Sequence, residues 1–156
     1  MGITGTFEGW VSDILVIYNN GSWNHTSSPG ATRTAGVTNG CILYPYREVL
    51  GSDITYYDAI IRLNSVFNVT NYNYLKVSYT MSGDIPYTTI NIGISSSQNV
   101  KSLKFTATAT LQGSGTCISN ISSISGDYYI YIGARSVYLY DYRPTVKINT
   151  IVVSKT

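Results

Sequence analysis

Short stretches in which β-branched and aromatic residues alternate with polar ones recur along the 156-residue chain. Turn formers separate these stretches, for example at 19–21 and 112–115. Successive side chains on a strand point to opposite faces of its sheet, so an alternation of period two is typical of half-buried strands rather than helices. We therefore expect an all-β chain. The strand candidates are 13–18, 41–50, 55–63, 74–81, 87–95, 102–110, 116–121, 127–134, 137–142 and 146–154.

The number of strands and the length of the chain together limit the architecture. A chain of 156 residues has the size of one ordinary domain, so we expect a single domain over 1–156. About ten strands with no convincing helix predict a two-sheet antiparallel β-sandwich of the jelly-roll type. The stretch 21–39 is polar and rich in Gly and Pro, and predicts a long loop or irregular edge.

Alternation also assigns faces within the predicted strands. In 87–95, Ile90, Ile92 and Ile94 share one face and should point inward, while the polar residues between them point outward. In 127–134, one face carries Tyr128 and Ile130, and the other face carries tyrosines at 129 and 131.

Tyrosine is the most over-represented aromatic residue, at 15 of 156. If strand 137–142 pairs with strand 127–134 as a hairpin, five tyrosines lie on one outer face. Such a face has two interpretations, which the sequence leaves open: cross-strand aromatic pairs that stabilise the sheet, or flat rings that stack on sugars or dock a protein. Trp23, in the polar 21–39 stretch, either anchors that loop to the core or binds a ligand. The candidate ligand-binding residues are Tyr129, Tyr131, Tyr138, Tyr140, Tyr142 and Trp23.

The charge pattern argues against nucleic acid and membrane partners. Lys and Arg number ten against eight acidic residues, and the densest basic pair is Lys101 with Lys104. A nucleic-acid surface concentrates enough basic groups to displace several counterions, so we expect no nucleic-acid binding. No apolar run approaches the length of a membrane span, and the start of the chain has no basic segment followed by an apolar one. We expect no membrane insertion and no classical secretion signal.

Residues for catalysis or metal binding are sparse. His25 is the only histidine, no GxSxG motif occurs, and no two of the eight carboxylates form a paired motif on one strand face. Cys41 and Cys117 lack the further ligands that a zinc site requires. We therefore predict no enzyme activity, no metal and no cofactor. The two cysteines are either buried free thiols, the favoured alternative, or a disulfide.

Several segments between Phe67 and Lys155 resemble a known family. They read FNVTNYNYLKVSYT, INIGISSSQNVKSLKFTATAT, GTCISNISSISGDYYIYIGA and VKINTIVVSK. These segments are similar to the β-sandwich domain of tail and other structural proteins of bacteriophages and prophages of Gram-positive gut bacteria, and ISSISGDYYIYI is the most specific of them. The chain departs from the family in having Asn120 where Asp is frequent, and in its tyrosine-dense last strands. More distantly, it resembles galactose-binding-like jelly rolls used as carbohydrate-binding modules.

The resemblance implies a fold and a setting but no catalytic residues. It implies a virion protein associated with the tail, whose partners are other virion proteins or further copies of itself. Its expected role is in particle architecture or in attachment to the host surface, where the partner is a glycan. The alternative is a carbohydrate-binding module of a secreted bacterial protein, located outside the cell or on its surface.

Overall fold

The computed structural model describes most of the predicted strands, and every regular element within the described residues is a β-strand. The all-β prediction is therefore confirmed. The residues described are 13–19, 25–27, 36–38, 42–82, 88–98, 107–110, 113–136 and 144–156.

The strands vary from two to ten residues in length. In chain order they are β1 (Ile14–Asn19), β2 (His25–Ser27), β3 (Gly36–Thr38), β4 (Ile42–Tyr44), β5 (Tyr46–Leu50), β6 (Asp53–Tyr57), β7 (Ala59–Leu63), β8 (Phe67–Asn68), β9 (Tyr74–Ser82), β10 (Thr88–Ser95), β11 (Ala107–Thr110), β12 (Ser114–Asn120), β13 (Asp127–Ser136) and β14 (Thr145–Ser154).

Two six-stranded sheets form the body of the protein. Sheet A has the order β12-β9-β14-β4-β3, and β1 pairs with β14 on the same edge as β4. Sheet B has the order β11-β10-β13-β7-β2, and β8 pairs with β13 on the same edge as β7. Strands β5 and β6 form a separate two-stranded ribbon. All of these pairings are antiparallel.

Eight strands follow the path of a jelly roll. If β4, β7 and β9 to β14 are counted in chain order, sheet A places the first, eighth, third and sixth side by side, and sheet B places the second, seventh, fourth and fifth. The chain therefore crosses between the sheets at every step except the one from β10 to β11. This order confirms the predicted antiparallel jelly-roll sandwich.

The core lies between the inner faces of the two sheets. In sheet B, Ile90 and Ile92 of β10 are fully buried and Ile94 packs against the core, as their alternation predicts. In sheet A, Val77 and Ile151 are also fully buried. Burial of a side chain of this size contributes about 1.5–3 kcal/mol each, so these alternating positions hold the sheets together.

Two predicted strands are wrong because each is divided in the structure. The stretch 41–50 contains β4 in sheet A and β5 in the ribbon, separated at Pro45. Proline has no N–H to donate to a ladder, so the pairing stops there. The stretch 55–63 contains β6 and β7, separated at Asp58, where backbone pairing with β5 ends and backbone pairing with β13 begins.

The 21–39 stretch, predicted as a long loop or irregular edge, contributes two short strands at sheet edges. Strand β2 pairs with β7 at one end of sheet B, and β3 pairs with β4 at one end of sheet A.

The ribbon is fixed at its base and apolar at its tip. Tyr46 and Tyr57 are directly opposite and stack with ring centres 4.6 Å apart and planes 5° from parallel. Beyond them, Val49, Leu50 and Ile54 are exposed to 41%, 67% and 52%. A two-stranded hairpin is only marginally stable alone, so the stacked base and the contact with β13 hold it in place.

Candidate functional site on the outer face of sheet B

Strand β13 carries the central residues of the candidate site. Ile130 and Ile132 point into the core, so the alternate positions Tyr129, Tyr131 and Arg135 face outward. Strand β10 lies on one side of β13, and β7 and β8 lie on the other. Functional side chains on this face therefore come from several strands that the ladder holds in register.

The first pair on this face consists of Arg62 and Tyr129. Arg62 on β7 lies directly opposite Tyr131, and its guanidinium carbon is 4.8 Å from the centre of the Tyr129 ring. Arg62 is only 9% exposed, and its Nη2 donates to Asn64 Oδ1 over 3.3 Å. Gln98 Nε2 donates to the Tyr129 hydroxyl over 2.6 Å. Tyr129 is half-buried, so its ring is oriented by neighbours while part of it remains accessible.

Tyr131, in contrast, is fully buried. Its hydroxyl donates to the backbone carbonyl of Ser97, and burial raises its pKa. Gly93 lies opposite it on β10 and has no side chain, which leaves space for the tyrosine ring on that side. Tyr131 therefore lies beneath the surface of this face, and its ring is not accessible to a ligand.

The second pair consists of Arg135 and Tyr56, and Asp58 holds it. Arg135 Nε and Nη2 donate to Asp58 Oδ1 and Oδ2, each over 2.8 Å, in a bidentate ion pair. The guanidinium carbon of Arg135 is 4.8 Å from the centre of the Tyr56 ring. Hydrogen bonding to Asp58 raises the pKa of Arg135. The side chain of Arg135 is 51% exposed and Tyr56 is 36% exposed, so this pair faces solvent.

A small polar row lies between the two pairs. Gly133 has no side chain, and Asn91 lies opposite it on β10. The Asn91 Oδ1 accepts a hydrogen bond of 2.7 Å from Thr108 Oγ1 on β11. This row separates the two aromatic pairs with amide and hydroxyl groups.

We call this surface the arginine–tyrosine face. Tyr129 and Arg135 are six residues apart on one strand, so their Cα atoms are about 20 Å apart. Each pair combines an aromatic ring with a guanidinium, and amide and hydroxyl groups lie between them. Such a surface suits an extended ligand with both apolar and hydroxylated parts. The members of the face are Arg62, Gln98, Tyr129, Asn91, Thr108, Tyr56, Asp58 and Arg135.

The structure places the predicted site residues in different environments. Tyr129 lies on the outer face, but the expectation that Tyr131 is exposed there is wrong, since it is fully buried. Both edges of β13 are occupied by β10, β7 and β8, so the predicted hairpin between 127–134 and 137–142 is also wrong. The remaining predicted residues lie outside the described part of the chain: Trp23, Tyr138, Tyr140 and Tyr142.

The sequence prediction did not include either arginine. Arg62 interrupts the apolar strand AIIRL at an outward position, and Arg135 continues the alternation that begins at Tyr129. A polar residue at an outward position of a central strand is a signal that could have identified both. Gln98 follows β10 and Asp58 precedes β7, so neither lies at an alternating position of a strand. Their contacts with Tyr129 and Arg135 depend on pairing between strands that are distant in the sequence.

Across the described ranges, no group of three or more His, Cys, Asp or Glu side chains is placed to hold a metal ion. In the same part of the chain, no helix has the length and apolar character required to cross a membrane. Of the two cysteines, Cys117 is a buried free thiol and Cys41 lies outside the described residues.

Neither a scan against protein-family models nor a search of curated proteins finds a match to this chain.

Proposed function

We propose that this chain is a non-catalytic attachment module of a bacteriophage or prophage virion, located in or near the tail, which binds a host-surface glycan through the arginine–tyrosine face. A sequence resemblance and a surface of the structure support this proposal. The segments between Phe67 and Lys155 resemble virion β-sandwich domains, and the jelly roll fits that resemblance. The outer face of sheet B supplies the binding chemistry.

The single observation that carries the binding role is the repeated aromatic–guanidinium pair. Arg62 with Tyr129 and Arg135 with Tyr56 have the same 4.8 Å separation and lie on the same face of the molecule. A ring whose orientation is fixed before binding loses little conformational entropy when a ligand arrives.

Several features of the face favour a glycan over a strongly anionic ligand. Asp58 already occupies the bidentate donors of Arg135, so the face does not offer two free guanidiniums to an anion. The groups that remain accessible to a ligand include the rings of Tyr129 and Tyr56. The others are the amide groups of Gln98 and Asn91 and the hydroxyl group of Thr108. Sugar rings present apolar C–H patches beside hydroxyls, which match this combination of surfaces.

The test begins with an array of oligosaccharides released from Gram-positive cell walls. The strongest binder is then titrated calorimetrically against the wild type and against Tyr129→Ala. We expect Tyr129→Ala to weaken binding about tenfold, which corresponds to ~1.4 kcal/mol, because the stacking ring is lost. Tyr129→Phe keeps the ring and loses only the hydroxyl that Gln98 contacts, so its loss should be smaller.

Tyr74→Ala is the matched control. Tyr74 is also half-buried and lies beside a cation, Lys76 Nζ, at 5.6 Å from its ring centre, but it lies on sheet A. A short soluble oligosaccharide is used, so that the number of sites per particle does not affect the result. Equal losses for Tyr129→Ala and Tyr74→Ala, or no binder on the array, would refute the proposed face.

The same face would also serve the alternative function, a carbohydrate-binding module of a secreted bacterial protein. Antibodies against the chain distinguish the two settings. In a virion, gold-labelled antibody should mark purified particles near the tail in electron micrographs. Label confined to soluble protein in the culture medium would support the secreted module instead.

A further inference from the structure

One face of the ribbon formed by β5 and β6 continues the arginine–tyrosine face. Arg47 lies directly opposite Tyr56 in the ribbon, and Val49 lies directly opposite Ile54. Residues directly opposite on paired strands share a face, and so do alternate residues on one strand, so these four side chains lie together. Tyr56 also contacts Arg135 of the arginine–tyrosine face. We call Arg47, Val49, Ile54 and Tyr56 the ribbon face.

The guanidinium of Arg47 has no partner among the described residues. The ion pairs in this part of the chain join Arg135 to Asp58 and Lys155 to Asp13. The Arg47 Nε is enclosed and makes no hydrogen bond there, while the residue as a whole is half-buried. An enclosed donor without an acceptor is costly, and such an unsatisfied group indicates an ion or a water that completes it.

The carboxylates closest in sequence to Arg47 are directed elsewhere. Glu48 is its neighbour on β5 and therefore points to the opposite face of the ribbon, and the register places Asp53 on that opposite face as well. Asp58, which follows β6, accepts hydrogen bonds from two donors of Arg135. The positive charge of Arg47 is thus not neutralised by any of these three carboxylates.

We propose that Arg47 binds a negatively charged substituent of the glycan, a carboxylate or a phosphate, while the sugar that carries it packs on the Tyr56 ring. Both substituents present oxygen atoms that accept charge-assisted hydrogen bonds from a guanidinium. The inference rests on the proposed glycan binding and names the class of glycan, which is one with acidic substituents. We call Arg47 and Tyr56 the anion subsite.

Tyr56 connects this subsite to the rest of the candidate site. Arg135 packs on the Tyr56 ring, and Arg47 is the cross-strand partner of the same tyrosine. Directly opposite residues have Cβ atoms about 5 Å apart, so a sugar on Tyr56 is within reach of the Arg47 side chain. An extended glycan on the outer face of sheet B therefore meets the subsite where it reaches the ribbon.

The other half of the ribbon face is apolar. Val49 is 41% exposed and Ile54 is 52% exposed. They lie one alternate position beyond Arg47 and Tyr56, which is about 7 Å along the strands. A methyl or acetyl group on the acidic sugar or on its neighbour would lie over these two side chains. The ribbon face therefore suits an acidic glycan that also carries small apolar groups.

A single unpaired guanidinium suits one charged substituent and not a polyanion. Asp58 already holds Arg135, and Arg62 donates to Asn64. Within the described part of the arginine–tyrosine face and the ribbon, Arg47 is thus the cation that remains for a ligand. This agrees with a glycan in which neutral sugars contact most of the face and one acidic group contacts the ribbon.

Titration of the isotopically labelled protein with glucose, glucuronate and glucose 6-phosphate tests the inference. We expect a charged sugar to shift the amide signals of Arg47 and Tyr56 and to bind about tenfold more tightly than glucose, because it gains a charge-assisted hydrogen bond. Tighter binding of glucuronate would identify a carboxylate as the substituent, and tighter binding of glucose 6-phosphate would identify a phosphate. Arg47→Gln keeps an amide donor without the charge, so it should bind all three sugars alike.

Two further variants serve as controls. Lys76→Gln lowers the net charge by the same amount, and Lys76 is also half-buried, but it lies on sheet A, so this variant should keep the preference for a charged sugar. Arg47→Lys keeps the charge without the planar fork and should keep part of the preference. Circular dichroism compares the fold of each variant with that of the wild type.

The results that would overturn the inference are specific to the subsite. They are equal binding of all three sugars by the wild type, a preference that survives Arg47→Gln, and an equal loss of preference in Lys76→Gln. Failure of the proposed glycan binding appears in a different variant, because Tyr129→Ala tests the arginine–tyrosine face with array-selected oligosaccharides. A loss in Tyr129→Ala without any preference for charged sugars would overturn the anion subsite alone.

Discussion

Gly115 of β12 lies opposite Tyr79 of β9, and the two residues provide a sensitive test of how sheet A is packed. A Cβ added at Gly115 would lie 2.6 Å from the Tyr79 hydroxyl oxygen and 3.0 Å from Cζ. Tyr79 is only 5% exposed, so its ring has little space into which to move. We expect Gly115→Ala to force a shift of a buried aromatic ring.

The expected cost follows from two opposing contributions. Overpacking of a well-packed core costs about 1–3 kcal/mol. Replacing glycine by alanine in a strand recovers about 0.5–1 kcal/mol of backbone entropy. The net loss for Gly115→Ala therefore lies between about 0 and 2.5 kcal/mol and is centred near 1 kcal/mol, which corresponds to roughly 2–4 °C in Tm for a domain of this size.

A double-mutant cycle with Tyr79→Phe isolates the contact. Phenylalanine lacks the hydroxyl oxygen that lies closest to the new Cβ and leaves only the 3.0 Å contact with Cζ, so Gly115→Ala should cost clearly less in the Tyr79→Phe background. The free energies of unfolding are measured by urea denaturation of all four proteins. Additive effects, with the same cost for Gly115→Ala in both backgrounds, would refute the register that places these residues together.

Two further predictions concern the core. Burial raises the pKa of Cys117 from 9.0 to about 11, so its contribution to the free energy of unfolding should be complete below pH 9 and lost as pH rises to 11, by about 2–3 kcal/mol. Urea denaturation at pH 8 and pH 11 should show a smaller alkaline loss in Cys117→Ala than in the wild type, and equal losses would contradict this assignment. Ile132→Ala removes a fully buried side chain and should cost about 2–5 kcal/mol, whereas Ile54→Ala, at a 52%-exposed position, should change the free energy of unfolding by less than about 0.5 kcal/mol. Similar values for the two isoleucine variants would contradict the assigned core.

Local alternation was sufficient to predict the class of fold and the inward faces. The spacing of Ile90 and Ile92, and that of Ile130 and Ile132, reflects a property of single strands, and the structure buries all four. The breaks at Pro45 and Asp58 were missed because each lies within a stretch that is otherwise continuous in β-forming residues.

The site was less predictable because it depends on which strands are neighbours. Alternation places Tyr129 and Tyr131 on one face, but it gives no information about Gly93, Arg62 and Ser97, which surround them in the structure. These neighbours come from distant parts of the chain. They bury one tyrosine and leave the other accessible, a difference that no local pattern encodes.

The most direct measurement of the central claim is a map of amide chemical shifts in the isotopically labelled protein, during titration with the array-selected oligosaccharide. If the arginine–tyrosine face binds glycans, the largest shifts should occur at Arg62, Gln98 and Tyr129, and at Arg135 for longer oligosaccharides. Shifts centred on Ile118 of sheet A or on Leu50 of the ribbon would contradict the account, and so would the absence of any shift.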